Sequence, residues 1–153
     1  MQAKSGAYAT PVGFKDVTLI HAWRNSKASR EASSMPRNFG LLSHWIWFLR
    51  LKPAERPLMV IEGEEKIGVV QFTRLGELYR WSFYKNPQAN AVGLSIMVAG
   101  LDYAEVHLGI SQLSAWVKAT NIASIALHER LGFFRSGQAE DGSTIMYEKN
   151  LMG

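Results

Sequence analysis

The sequence predicts a single mixed α/β (α+β) domain, a mostly antiparallel central sheet flanked by helices, and two observations predict it. Three strand-like segments follow one another, Leu58 to Glu62, Lys66 to Thr73 and Leu78 to Tyr84. Gly63-Glu-Glu and Leu75-Gly-Glu join them, turns short enough for an antiparallel meander. Beyond Pro87 the pattern changes to helices and strands in alternation, with no linker, internal repeat or low-complexity stretch to divide residues 1–153.

The elements follow in order. Ala7 to Pro11 reads as a first strand, and Asp16 stands where it can cap a helix through Val17, Leu19, Ile20 and Trp23. A second helical piece is expected near Ser26 to Ser33, then a loop from Ser34 to Gly40. Leu41 to Leu51 is apolar on all sides, which predicts a buried helix or a pocket wall, ended by Pro53 and Pro57. After the meander, Leu94, Met97, Val98, Leu101 and Leu108 recur at helical spacing, giving a helix from Ala91 to His107 that Gly109 stops. A strand from Gln112 to Val117, a helix after Asn121, and strands near Phe133 to Ser136 and Ser143 to Lys149 complete the chain.

Composition narrows the function classes. The chain is 47% hydrophobic and 11% aromatic, enough for one sizeable core. No cysteine is present, so there is neither a disulfide framework nor a thiolate nucleophile or metal ligand. His21, His44, His107 and His128 lack metal-ligand spacing, so no metal is expected. Lysine and arginine number 17 against 13 acidic residues, and they are scattered rather than tracked, which argues against nucleic acid. The first residues form no signal sequence and no stretch approaches the roughly 18 apolar residues of a membrane span, so a cytoplasmic protein without a membrane partner is expected.

The most specific segment is Asn121-Ile-Ala-Ser-Ile-Ala-Leu-His128-Glu-Arg-Leu-Gly132-Phe133. Asn121 can cap its first turn, Ile122, Ile125, Ala126 and Leu131 supply the packed positions, and Gly132 sits at a left-handed stop. Asn121, Ser124 and His128 are left on one polar edge. A second motif precedes the long helix, Gln88-Ala89-Asn90-Ala91-Val92-Gly93-Leu94, where backbone N–H groups and the helix dipole make a site for a pyrophosphate.

Together these resemble the cofactor motifs of the GCN5-related N-acetyltransferases (GNAT), the loop departing only in Ala91 where glycine is usual. The resemblance implies acetyl-coenzyme A as co-substrate. It assigns Gln88 to Leu94 to the phosphates, Asn121 and Ser124 to the pantetheine arm, and His128 to the place of a tyrosine near the cofactor sulfur. There an imidazole can act as general acid or pack on the cofactor. No glutamate base stands at the end of the third meander strand, so Tyr84 or His44 is expected to hold a water that removes the amine proton.

Acceptor choice falls to the N-terminal third. Trp23, Arg24, Asn25, Arg30, Met35, His44 and Trp47 resemble the branch that acetylates nucleotide-linked amino sugars, the 4-amino step of pseudaminic acid synthesis. Aromatic rings and guanidinium groups suit a base, a sugar ring and phosphates. Of Trp45 and Trp47, which face different sides of their helix, Trp47 is the expected lining residue. A ribosomal-protein-type N-terminal acetyltransferase is the alternative acceptor class, and a non-catalytic acetyl-coenzyme A-binding module the alternative of another kind. The expected assembly is a monomer or homodimer.

Overall fold

A computed structural model describes residues 6–26, 40–52, 55–90 and 92–151. The expected helical piece at 26–33, most of the loop after it, Arg30, Met35 and Ala91 lie outside the described residues. Among the described residues the chain runs β1 (Ala7–Pro11), a 3-10 turn (Phe14–Asp16), α1 (Val17–Arg24), α2 (Leu41–Arg50), β2 (Leu58–Glu62), β3 (Glu65–Leu75) and β4 (Leu78–Lys85). It continues with α3 (Gly93–Tyr103), β5 (Gln112–Lys118), α4 (Ile122–Arg130), β6 (Phe134–Gln138) and β7 (Thr144–Asn150).

Seven strands form one sheet in the order β1-β2-β3-β4-β5-β7-β6. Every neighbouring pair is antiparallel except β4 with β5. Strand alternation divides the core between the two faces. Val60, Val70, Phe72, Trp81, Leu113 and Ala115 pack against α3 and α4. Met59 and Val69, one residue out of phase, pack with Val17, Ile20 and Trp23 of α1 and Phe48 of α2.

Local chemistry explains most boundaries. Gly132 takes φ 89, which an L side chain rarely adopts, and ends α4 with Phe133 N–H donating to His128 O and Gly132 N–H to Glu129 O. The expected helix to His107 continues past Tyr103 as a wider π turn, Ala104–Leu108, before Gly109 stops it at φ 61.

Two expectations are corrected. Asp16 does not cap α1 with its side chain; its buried carboxylate accepts from Lys66 Nζ at 2.8 Å, tying the start of α1 to β3. Replacing Asp16 with alanine should lower unfolding free energy by about 1–2 kcal/mol, measured by urea denaturation. Nor is α2 buried all round. It turns His44 and Phe48 inward and leaves Leu42, Ile46 and Leu49 exposed, because one flank of a surface helix meets solvent whatever residues it carries.

Candidate active site

The sheet is interrupted where its two halves meet. β4 and β5 pair only through Tyr79↔Leu113, Arg80↔Ser114 and Trp81↔Ala115. Past Trp81, β4 continues to Lys85 on β3 alone, and past Ala115, β5 continues to Lys118 on β7 alone. The inner edges of Ser82–Lys85 and Trp116–Lys118 therefore part into a fork, where the β4–β5 ladder is not continued among the described residues.

The loop at 86–92 and the start of α3 lie at the β4 end of this fork. Asn86 Oδ1 accepts from Gln88 N–H and its carbonyl from Ala89 N–H, which shapes a turn. Val92 is the helix N-cap and offers no side-chain acceptor, so among the described residues no side chain caps the first turn of α3, a place suited to an anion. Ala89 and Val92 are buried, and a Cβ on Gly93 would come 2.9 Å from Leu127 Cδ1 of α4. Glycine there lets the two helices that flank the fork approach. An uncapped helix start beside unpaired strand edges fits a pyrophosphate with an extended amide-bearing arm.

Along α4 the structure corrects the expected orientation. Ile122 is 70% exposed and Ala126 is exposed, whereas His128 is 2% exposed. The polar edge faces inward. Asn121 Oδ1 caps the helix by accepting Ser124 N–H at 3.2 Å. His128 Nδ1 lies 2.8 Å from Ser124 O, which can only accept, so Nδ1 carries the proton. His128 Nε2 then accepts from Trp81 Nε1–H at 3.2 Å. Burial holds this imidazole below its ordinary pKa, opposed by the Ser124 carbonyl. In this arrangement the Nδ1 proton is given to Ser124 O and Nε2 is occupied by Trp81, so both ring nitrogens are held by protein groups. Sequence could not reveal the donor, which stands 47 residues away.

A second polar cluster occupies the other face, between α1, α2 and β4. His21 and His44 have ring centroids 5.2 Å apart, His44 and Trp47 5.0 Å. Asn25 Nδ2 is 2.9 Å from His21 Nε2. His44 is 6% exposed, and its Nε2 is buried with no hydrogen-bond partner among the described residues. Burial, with His21 and Arg24 beside it, pulls the His44 imidazole down to about 4. Burial also lowers the Arg24 guanidinium, with Tyr84 acting against it. The Tyr84 hydroxyl is raised by burial, partly offset by Arg24, and stays protonated, so Tyr84 can hold a water but is no anionic base. Trp23 is 6% exposed and belongs to the core beneath the cluster. Trp47 also lines a surface hollow of about 370 Å³ with Ser43, Ile46, Arg50 and Leu51.

Sequence reasoning missed Trp81, the partner of His128, and Arg80, whose guanidinium lies 4.0 Å over the half-exposed Trp116 ring on the open face beside the fork.

Comparison with known proteins agrees with this geometry. Residues 10–134 match the model of the acetyltransferase (GNAT) domain. Over 62 residues the chain is 34% identical to mycothiol acetyltransferase from Salinispora tropica, a match of 40% of this chain and 20% of that relative's length. Spermidine N-acetyltransferase from Vibrio cholerae, in complex with CoA and spermine, is similar in structure at TM-score 0.84 and 16% identity, over 97% of each chain. So is the N-acetyltransferase PseH of Campylobacter jejuni, at TM-score 0.72 and 17% identity, over 95% of this chain and 98% of that one. With the family model spanning β2 to β5, the fork and both flanking helices, the chain belongs to the acetyltransferase (GNAT) domain family, whose acyl donor is acetyl-coenzyme A.

Proposed function

We propose that the chain is a cytoplasmic N-acetyltransferase that acetylates the 4-amino group of a UDP-linked amino-dideoxy sugar by direct attack. The observation that carries this reading is the cluster of Arg24, His44, Trp47 and Tyr84 beside β4, with His44 Nε2 buried and unsatisfied among the described residues. Leaving such an atom without a partner costs on the order of 1–3 kcal/mol, which a bound polar group or water recovers. Arg24 supplies positive charge for a diphosphate, and Trp47 an aromatic face for a ring. The resemblance of Trp23, Arg24, Asn25, His44 and Trp47 to the branch that acetylates nucleotide-linked amino sugars supports the same acceptor class.

Bound acetyl-coenzyme A supplies a thioester carbon for the amine to attack. The chain's own task is to hold the donor in the fork, orient the amine and accept its proton through a water at the Tyr84 hydroxyl or His44 Nε2. Asn121 and Ser124 hold the arm of the donor, and residues 88–94 its phosphates. His128 supports this arrangement from behind.

The test is acetyl transfer to a panel of amino-sugar nucleotides, free amino sugars, polyamines and peptides ending in alanine or serine. Turnover is expected with the 4-amino sugar nucleotide. Turnover with peptides alone would assign the alternative, an N-terminal acetyltransferase, and donor binding without any turnover would assign a binding module. Arg24→Ala should raise the acceptor KM at least tenfold, about the worth of one charge-assisted contact, and leave the donor KM within twofold.

A further inference from the structure

We propose that His128 is a positioning residue for the acyl donor, bracing the apex of the fork through the relay Trp81 Nε1–H to His128 Nε2 and His128 Nδ1–H to Ser124 O. The inference rests on the reading that the fork takes acetyl-coenzyme A, and not on the identity of the acceptor.

The geometry carries it. Trp81 is the last residue of β4 that pairs with β5. His128 lies on α4, the helix that continues from the β5 arm after Lys118. The bond between them, 3.2 Å and buried, therefore joins one arm of the fork to the element hung from the other, at the level where the strands separate. The ring also touches both sides. Its centroid is 6.0 Å from Phe83, the second residue of the free part of β4, and 5.7 Å from Tyr147 of β7, stacked at 21°. Tyr147 in turn pairs with Ala115, the last residue of β5 before the gap. Phe133 closes the cage at 4.9 Å.

Any buried imidazole must pair its nitrogens; what distinguishes this one is that its two partners lie on β4 and α4, on either side of the fork. This one reads a donor on β4 and an acceptor on its own helix, which fixes its tautomer and the distance between the arms. Ser124 is the link to the donor. Its N–H is held by Asn121, its carbonyl by His128, and its hydroxyl lies 3.3 Å from His128 Nδ1. Loss of the relay should thus loosen the residues proposed to hold the pantetheine arm and leave the acceptor cluster, on the other face of the sheet, unaffected.

Calorimetry with acetyl-coenzyme A on the full chain tests this. His128→Phe should weaken donor binding about five- to tenfold, the loss of one net hydrogen bond, with the acceptor KM within twofold. His128→Gln, which can still accept from Trp81, should recover most of that loss. Trp81→Phe should match His128→Phe, and the double variant should be no worse than either, since both remove one interaction. A donor affinity unchanged in His128→Phe, or a glutamine variant no better than phenylalanine, overturns the brace. Should the core variants not fold, the wild-type protein serves. Its Trp81 indole N–H resonance, assigned from one-bond and aromatic-ring NMR correlations, should shift when acetyl-coenzyme A saturates the fork, and an unmoved resonance overturns the proposal. Wild-type protein that binds no acetyl-coenzyme A refutes the donor reading itself, a result distinct from variants that bind as wild type.

Discussion

Replacing Gly68 with alanine should cost about 3 kcal/mol, the upper part of the range for overpacking a core, and lower Tm by roughly 6–12 °C. Gly68 sits in the middle of β3, between Val60 of β2 and Lys85 of β4. A Cβ there would collide with Ile96 Cδ1 of α3 and come 2.8 Å from the Tyr84 carbonyl oxygen. The backbone angle is not the obstacle; space is. Ile96 is fully buried and cannot swing aside, and the carbonyl belongs to the arm of β4 that borders the fork. Both α3 and that arm must therefore shift. Ile96→Val removes the colliding methyl and should recover part of the loss, so the double variant ought to be more stable than the sum of the two singles predicts. Thermal unfolding of the four proteins measures this, and additive losses would refute the contact.

Acidification should weaken the fold well above the pH at which carboxylates titrate. His44 has a folded value of about 4 against 6.5 in the unfolded chain, so between these values the unfolded state binds more protons. Stability is thus fully present above pH 6.5 and falls as the pH drops through the window, by about 3 kcal/mol for His44 once pH 4 is reached. Burial is the main cause of the lowered value, and the neighbouring His21 and Arg24 act in the same direction. His128, lowered by burial, adds to the loss in the same direction. Urea denaturation at pH 7, 6 and 5 should show falling stability, and His44→Phe should flatten the slope. An equal slope in that variant would remove His44 as the cause.

Much of the fold was legible because its signals are local. The meander follows from two glycine-containing turns and strand-like runs, and β2 spans the expected Leu58 to Glu62. The stop of α4 at Gly132 was likewise readable from one residue. What could not be read depends on partners distant in the chain. His128 reads as a cofactor-side residue, and its bond from Trp81 is not visible in the sequence; Asp16 looks like a cap until Lys66 arrives from 50 residues on. In Leu41 to Leu51 the polar His44 turns inward while Leu42 and Leu49 are exposed, so the residue pattern of this helix does not name its buried face. In the candidate site, the residues proposed to hold the donor form two contiguous motifs, 88–94 and 121–133, that stand in the sequence as such. The cluster proposed to take the acceptor draws on α1, α2 and β4, and only the fold brings them together.

The division of the core by the sheet has a consequence for how such a chain can diversify. Donor-side packing of α3 and α4 and acceptor-side packing of α1 and α2 share the sheet but scarcely share side chains. Substitutions that reshape one layer are therefore felt weakly by the other. On the proposed reading, acceptor range rests on α1 and α2 and donor grip on α3 and α4, so one can change while the other is inherited intact. In a lineage, the same partition lets new substrates be tried without relearning the chemistry.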